Sequence, residues 1–154
     1  MSDAGETERS VTTLPFNAFL GVERATGEGE LLRLPAGAQY LNHLGTVHAA
    51  AQLALAEASS GEFLLTQLGA TDGLIPVVRR VQAKFRQPAN GALVSTARLT
   101  AGTVEQITDD LVGRGRALVT VKVDLHDRSG AHTLSAEFEW FIQRAQTSRG
   151  APVE

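Results

Sequence analysis

The chain has 154 residues, with 14 Lys and Arg against 17 Asp and Glu, and no cysteine. That length suits one domain, commonly ~100–200 residues, which buries roughly two-thirds of the surface its unfolded chain exposes. A net charge of −3 argues against general nucleic-acid binding, the lack of thiols excludes disulfides and Cys-based chemistry, and no apolar run reaches the ~18 residues that cross a membrane.

Residues 1–13 are largely small, polar or acidic and are expected to form a flexible N-terminus. They lack the apolar core of a signal peptide, so a cytoplasmic location is expected. Leu14 to Gly21 reads as a short helix. Phe16, Phe19 and Leu20 fall at i, i+3 and i+4, Pro15 stands near its start, and Gly21 stops it. Glu30 to Leu34 reads as a strand, ended by Pro35 and Gly37. Residues 47–68 form the one long helix, with Thr46 as N-cap and Gly69 as stop. Its inward stripe reads as Val47, Ala50, Ala51, Ala54, Ala58, Gly61, Leu65 and Leu68. Most of these side chains are tiny, so the helix can press close to its cover.

After Pro76 the apolar period becomes two, the mark of half-buried strands. Strands are expected near 80–87, 92–104, 117–126 and 132–142, joined as a meander. Pro88-Ala89-Asn90-Gly91 and Asp127-Arg128-Ser129-Gly130 read as turns, and so does Gly113-Arg114-Gly115. The expectation is one α+β domain over 14–145, its antiparallel sheet wrapping the long helix, followed by a flexible tail at 146–154.

Chemistry concentrates in Asn42-His43-Leu44-Gly45-Thr46-Val47-His48-Ala49-Ala50 and in Glu57. Free N–H groups at a helix start attract negative charge, which is where a developing oxyanion is stabilised. Glu57 lies among Leu53, Ser60, Gly61 and Leu64, and no Lys or Arg occurs between Arg33 and Arg79. A carboxylate without a local cation is a candidate for a raised pKa and for general-base or nucleophilic work, against the plainer reading of a solvated glutamate. His48 and Glu57 are separated by ~180° of rotation and ~13.5 Å of rise on an ideal helix. A site using both the helix start and Glu57 therefore needs two chains, giving two equivalent sites per two-fold dimer.

Asn42, Gly45, His48, Ala49-Ala50 and Glu57 together resemble the Asn-x-x-Gly-x-x-His signature of the PaaI-like hot-dog acyl-CoA thioesterases. Phe16-Asn17-Ala18-Phe19-Leu20-Gly21 resembles that family's entry helix, and Phe85-Arg86-Gln87-Pro88-Ala89 its proline-bearing strand end. The resemblance covers roughly 14–143. It implies a hot-dog fold of about five to six strands around a central helix, and hydrolysis of an acyl-CoA thioester at the interface of a homodimer or a tetramer of dimers. The Ala49 N–H and the Asn42 side chain would polarise the thioester carbonyl, and Glu57 of the facing subunit would act as base or nucleophile. His48 reads as a candidate catalytic residue, either a base or, as the resemblance favours, the group that holds the helix start through hydrogen bonds. His-Ala-Ala stands where the family usually has His-Gly-Gly, favouring helix by ~1 kcal/mol per Gly replaced, and Glu stands where many members have Asp.

Arg80, Lys84 and Arg86, with Arg79 beside them, form either a solvated strand face or a landing place for the CoA phosphates. His43, His126 and His132 have no partner at ligand spacing, so no metal is expected, and no cofactor beyond CoA as part of the substrate. Two other readings stay open: a hot-dog hydratase or dehydratase, and a non-catalytic acyl-CoA binder. Neither nucleic acid nor membrane is an expected partner.

Overall fold

The computed structural model describes residues 10–69 and 71–146. In chain order these form α1 (Pro15–Leu20), β1 (Glu23–Arg24), β2 (Leu32–Leu34), α2 (Ala49–Leu68), β3 (Leu74–Phe85), β4 (Leu93–Ala101), α3 (Val104–Arg114), β5 (Arg116–Asp127) and β6 (His132–Arg144). All strand pairs are antiparallel, in the order β1-β2-β4-β5-β6-β3. Period two decides what faces inward. Val119, Val121, Val123 and Leu125 of β5, with Leu134, Ala136, Phe138, Trp140 and Ile142 of β6, are buried against α2. Lys122, Asp124, Glu137 and Glu139 lie on the opposite face. This is the expected α+β hot-dog arrangement, one long helix wrapped by an antiparallel sheet.

The face that α2 buries differs from the expected stripe. Ala51, Gln52, Leu55, Ala56, Ala58, Ser59, Glu62 and Leu64 are inside, whereas Ala50 is exposed and Ala54 and Gly61 are half-buried. Polar residues shift the reading, because several are tied to the core by hydrogen bonds. Ser59 Oγ donates to Ser95 Oγ (2.6 Å), and Ser95 Oγ accepts from the Leu32 N–H (3.1 Å), so one buried hydroxyl chain joins α2, β4 and β2. Trp140 Nε1 donates to Ser60 Oγ (3.0 Å), joining β6 to α2. Such paired groups avoid the penalty of lone buried polar atoms. The helix starts two residues later than expected, with His48 rather than Thr46 as N-cap.

Three further departures position the site. The strands are not a simple meander: β3 pairs with β6, so residues 86–92 cross the ends of β5 and β6 to reach β4. Asp127 clamps this crossing by accepting the Asn90 N–H (3.1 Å), while the Ala89 carbonyl accepts the Val47 N–H (2.8 Å) at the entrance to α2. Pro76 falls inside β3 instead of preceding it, which a strand tolerates at a sheet edge, where no second partner needs its missing N–H. Residues 104–114 form a helix where a strand end and a turn were expected. Thr103 and Gln106 make a reciprocal capping box, and Gly115 ends the helix at φ +70.

At the N-terminal side, residues 11–13 form a 3-10 turn although the sequence places them in the flexible stretch. Glu62 explains their order: its buried carboxylate accepts the Val11 N–H (2.9 Å) and the Ser10 hydroxyl (3.3 Å), with Arg24 at 3.6 Å. Residues 1–9 and 147–154 lie outside the described residues.

Candidate functional site

The loop before α2 is built by Asn42. Its Oδ1 accepts the N–H of Leu44 (2.9 Å) and of Thr46 (3.1 Å), and its Nδ2 donates to Thr46 Oγ1 (2.9 Å). Such a closed Asx-type network fixes a turn. Gly45 takes φ +77 in it, a left-handed conformation that side chains resist. The Asn42 N–H donates to the Thr46 carbonyl (2.8 Å) and the His48 N–H to the Tyr40 carbonyl (2.7 Å), which aims the chain into α2. Asn42 is thus committed to the loop, with one amide N–H left over for a ligand.

His48 accepts the Ala50 N–H at Nδ1 (2.9 Å). An accepting Nδ1 carries no proton, so its Nε2 bears the proton of the neutral ring. His48 therefore caps the helix, the structural role that the resemblance implies. The Ala49 N–H has no acceptor among the described residues, and Ala49 is exposed. The first-turn geometry leaves that donor at the positive end of a 20-residue helix.

Glu57 lies two turns on. Its carboxylate makes no hydrogen bond or ion pair among the described residues, and burial pushes its pKa above the ordinary 4.5. It shares the open side of α2 with Ala50 and Ala54, while Gly61, one turn further on, lies under Val11 and Trp140. Ser60 Oγ donates to the Glu57 carbonyl (2.7 Å) while accepting from Trp140, so the backbone at Glu57 is fixed to β6. Eight residues separate Glu57 from Ala49, a rise of ~12 Å. Within one chain the two do not meet.

The strand cations do not join them either. Directly opposite residues share a sheet face. Arg80 pairs with Glu139 and Lys84 with Ser135, on the face away from α2. Arg79 sits at a bulge and binds Glu139 (3.0 Å), and Arg86 Nε donates to Ser135 Oγ (2.9 Å). Arg79, Arg80 and Lys84 stand on β3, a sheet edge with one side unpaired, and Ile75, Val77, Val81 and Phe85 on it are 42%, 48%, 43% and 48% exposed.

A family model described as a domain of unknown function, DUF4442, matches residues 23–142. The chain belongs to the DUF4442 family. No curated protein matches it. Among solved structures, this DUF4442 chain is similar to a Pseudomonas aeruginosa protein of unknown function described as a probable thioesterase. They are 27% identical, with 87% of this chain and 91% of the other covered, at TM-score 0.74. A Haemophilus influenzae thioesterase is 17% identical over 90% of both chains (TM-score 0.68). A Bacillus halodurans protein crystallised with CoA is 20% identical, over 82% of this chain and 74% of its own (TM-score 0.64). The last two show the fold alone.

On its outer sheet face the DUF4442 domain holds a second polar cluster that sequence reasoning missed. Asp124 Oδ1 lies 2.8 Å from His132 Nε2 and accepts the Ser135 hydroxyl (2.7 Å), and the His132 ring stacks on His126 at 4.8 Å. His132 thus has the acidic partner that its spacing did not reveal, because a hairpin rather than a helix brings the two together. Burial alone would raise the Asp124 pKa, but hydrogen bonds from Ser135 and His132 and the charges of His132 and Lys122 outweigh it and lower it. Ser, His and Asp here are no nucleophilic triad. His132 uses the same Nε2 toward both Asp124 and Ser135 (3.0 Å), whereas a triad needs one ring nitrogen for each.

Proposed function

We propose that the chain is an acyl-CoA thioesterase of the PaaI-like type that works as a homodimer, with Glu57 as base or nucleophile. The observation that carries this reading is the unpartnered Glu57 carboxylate with its raised pKa on the open, small-residue side of α2. A carboxylate in that state costs stability, and a role in a reaction is a reason for a site to keep it. The likeness to proteins named as thioesterases, and to one crystallised with CoA, supports the substrate class.

The dimer follows from two needs. Glu57 requires a carbonyl-polarising donor, and the free Ala49 N–H is ~12 Å away on its own helix. The outer edge of β3 leaves backbone N–H and C=O groups unpaired beside exposed Ile75, Val77, Val81 and Phe85, a template on which another strand can pair. Antiparallel pairing of β3 with its copy meets both: it extends the sheet and sets α2 of one chain beside α2 of the next, running oppositely. The Ala49 N–H and the spare Asn42 amide proton of one chain then face Glu57 of the other. Glu57 either takes a proton from the water that attacks the thioester carbon, or attacks that carbon itself to form a mixed anhydride that water then hydrolyses; in both cases CoA leaves as the thiolate and the acyl group as the free acid. Arg80 and Lys84, exposed along the same edge, meet the CoA phosphates, with Arg79 and Arg86, held by Glu139 and Ser135, adding positive charge beside them.

Release of free CoA from a panel of acyl-CoAs, read with a thiol reagent, tests the reading. Turnover by the wild-type chain that falls ~10²–10⁴-fold in a folded Glu57→Gln variant is expected. Tight acyl-CoA binding without turnover would replace it by the binding-protein reading.

A further inference from the structure

At the end of the sheet where β3 begins, away from the start of α2, lies a cleft of about 450 Å³ lined by Ile75, Arg114, Gly115, Arg116, Gln143 and Arg144. Three arginines line it, on a chain whose net charge is −3. We propose that this cleft binds the phosphate groups of a nucleotide-sized ligand.

The backbone assembles it. Gly115, at φ +70, turns the chain between Arg114 at the end of α3 and Arg116 at the start of β5. The register sets Ile75, Gln143 and Arg116 side by side across three strands. Arg144 is held by its N–H to the Gly115 carbonyl (2.9 Å) and by Nε to the Leu111 carbonyl (3.1 Å), leaving its terminal nitrogens without an acceptor among the described residues. Arg116 makes no hydrogen bond or ion pair there at all. Arg114 has only Asp110, at 3.8 Å and largely exposed, a pair of little strength. The carboxyl end of α3 would repel an anion. That effect is blunted because the Leu111 carbonyl is taken by Gly115 N–H (3.1 Å) and Arg144 Nε.

Charge count selects the ligand. A carboxylate brings one negative charge, whereas a phosphate monoester brings about −1.5 to −2 at neutral pH and three acceptor oxygens. Planar guanidinium forks match phosphate in pairs. The cleft volume lies in the ~300–1,000 Å³ range of small-molecule sites. Next to it, exposed Val77 and Leu118 flank Phe141 on the same sheet face and, with Ile75, give a flat apolar bed for a base. The phosphates have two sources, the nucleotide end of an acyl-CoA or a separate nucleotide. Phosphate binding needs one chain only; service to the substrate rests on the thioesterase dimer proposed above, in which the start of β3 lies beside the end of its copy, where the other chain's α2 begins.

Calorimetry on the full chain with adenosine 3′,5′-bisphosphate, 5′-AMP, inorganic phosphate and adenosine tests the cleft. Saturable nucleotide binding that weakens with salt is expected, with none for adenosine. The Arg114→Gln/Arg116→Gln double variant, checked by a melting curve, should bind at least ~10-fold more weakly, since hydrogen bonds to charged groups carry about that much each. Arg98→Gln, which removes another outer-face cation, and Glu57→Gln should bind as wild type does. No saturable binding at low salt, or an unchanged affinity in the double variant, overturns the proposal. Kinetics separate the sources. A KM raised for acyl-CoA but not for acyl-pantetheine assigns the cleft to the substrate, whereas an unchanged KM with AMP still bound under saturating acyl-CoA assigns it to a second ligand. These calorimetric outcomes hold whether or not the chain turns over thioesters.

Discussion

Glu57 carries opposite consequences for activity and for stability. As a base it must be ionised, so kcat/KM should rise with pH through a value above the ordinary 4.5, the direction in which burial moves it. For folding, a raised carboxyl pKa favours the neutral form: the contribution is full below the unfolded value and is lost as pH rises through the folded one. Glu57→Gln should therefore melt at or above the wild-type temperature at neutral pH, with the difference vanishing in acid, even as turnover falls. A melting temperature well below wild type at neutral pH would mean that Glu57 has a stabilising partner instead. Asn42 should behave differently. Asn42→Ala frees the Leu44 and Thr46 N–H groups, so it should lower activity by ~10²-fold or less and also cost about 1 kcal/mol of stability by denaturant melts.

Among the elements, α2 depends on the chain that straps it. Glu62 holds Val11 against Gly61 and Trp140, a contact in which even the missing Gly61 methyl would lie 3.6 Å from Val11. Glu62→Ala should cost about 2 kcal/mol and remove hydrogen-exchange protection at the Val11 N–H, while leaving the β5–β6 hairpin protected. This strap was not legible in the sequence, because Ser10, Val11 and Glu62 are 51 or 52 residues apart and carry no shared period. What periodicity can show, it showed: β5 alternates without a break, and α2 is bounded to within two residues. Its facing was misread because alanines suit either side of a helix and Ser59, Ser60 and Glu62 are buried by pairing, not by apolarity. The helix at 104–114 left a signal in Thr103 and Gln106, but only Ile107 and Leu111 mark its buried side, too few to outweigh the glycines beside it. Asn42, His48, Ala49 and Glu57 are candidates by type and spacing alone; that Asn42 and His48 turn inward to build the loop is set by hydrogen bonds that spacing does not reveal.

For the whole molecule, the account predicts an obligate dimer that buries well over ~1,000 Å², paired through β3. Val81→Asp, a charge placed on that exposed edge, should yield monomers by sedimentation at micromolar concentration and abolish turnover with Glu57 intact. A fully active monomer would break the link between assembly and site. The most direct test mixes two inactive chains. Ala49→Pro removes the Ala49 N–H at a helix position where proline is tolerated, after a His48 whose φ −59 and ψ 138 suit a following proline. Each homodimer of Glu57→Gln or Ala49→Pro has both sites damaged, whereas a mixed dimer regains one intact site, Glu57 from one chain and the Ala49 N–H from the other. Unfolding, mixing in equal amounts and refolding should restore about a quarter of wild-type thioester hydrolysis, as random pairing makes half the dimers mixed with one good site in two. A mixture as inactive as its components, beside an active wild type refolded in the same way, would contradict the shared site.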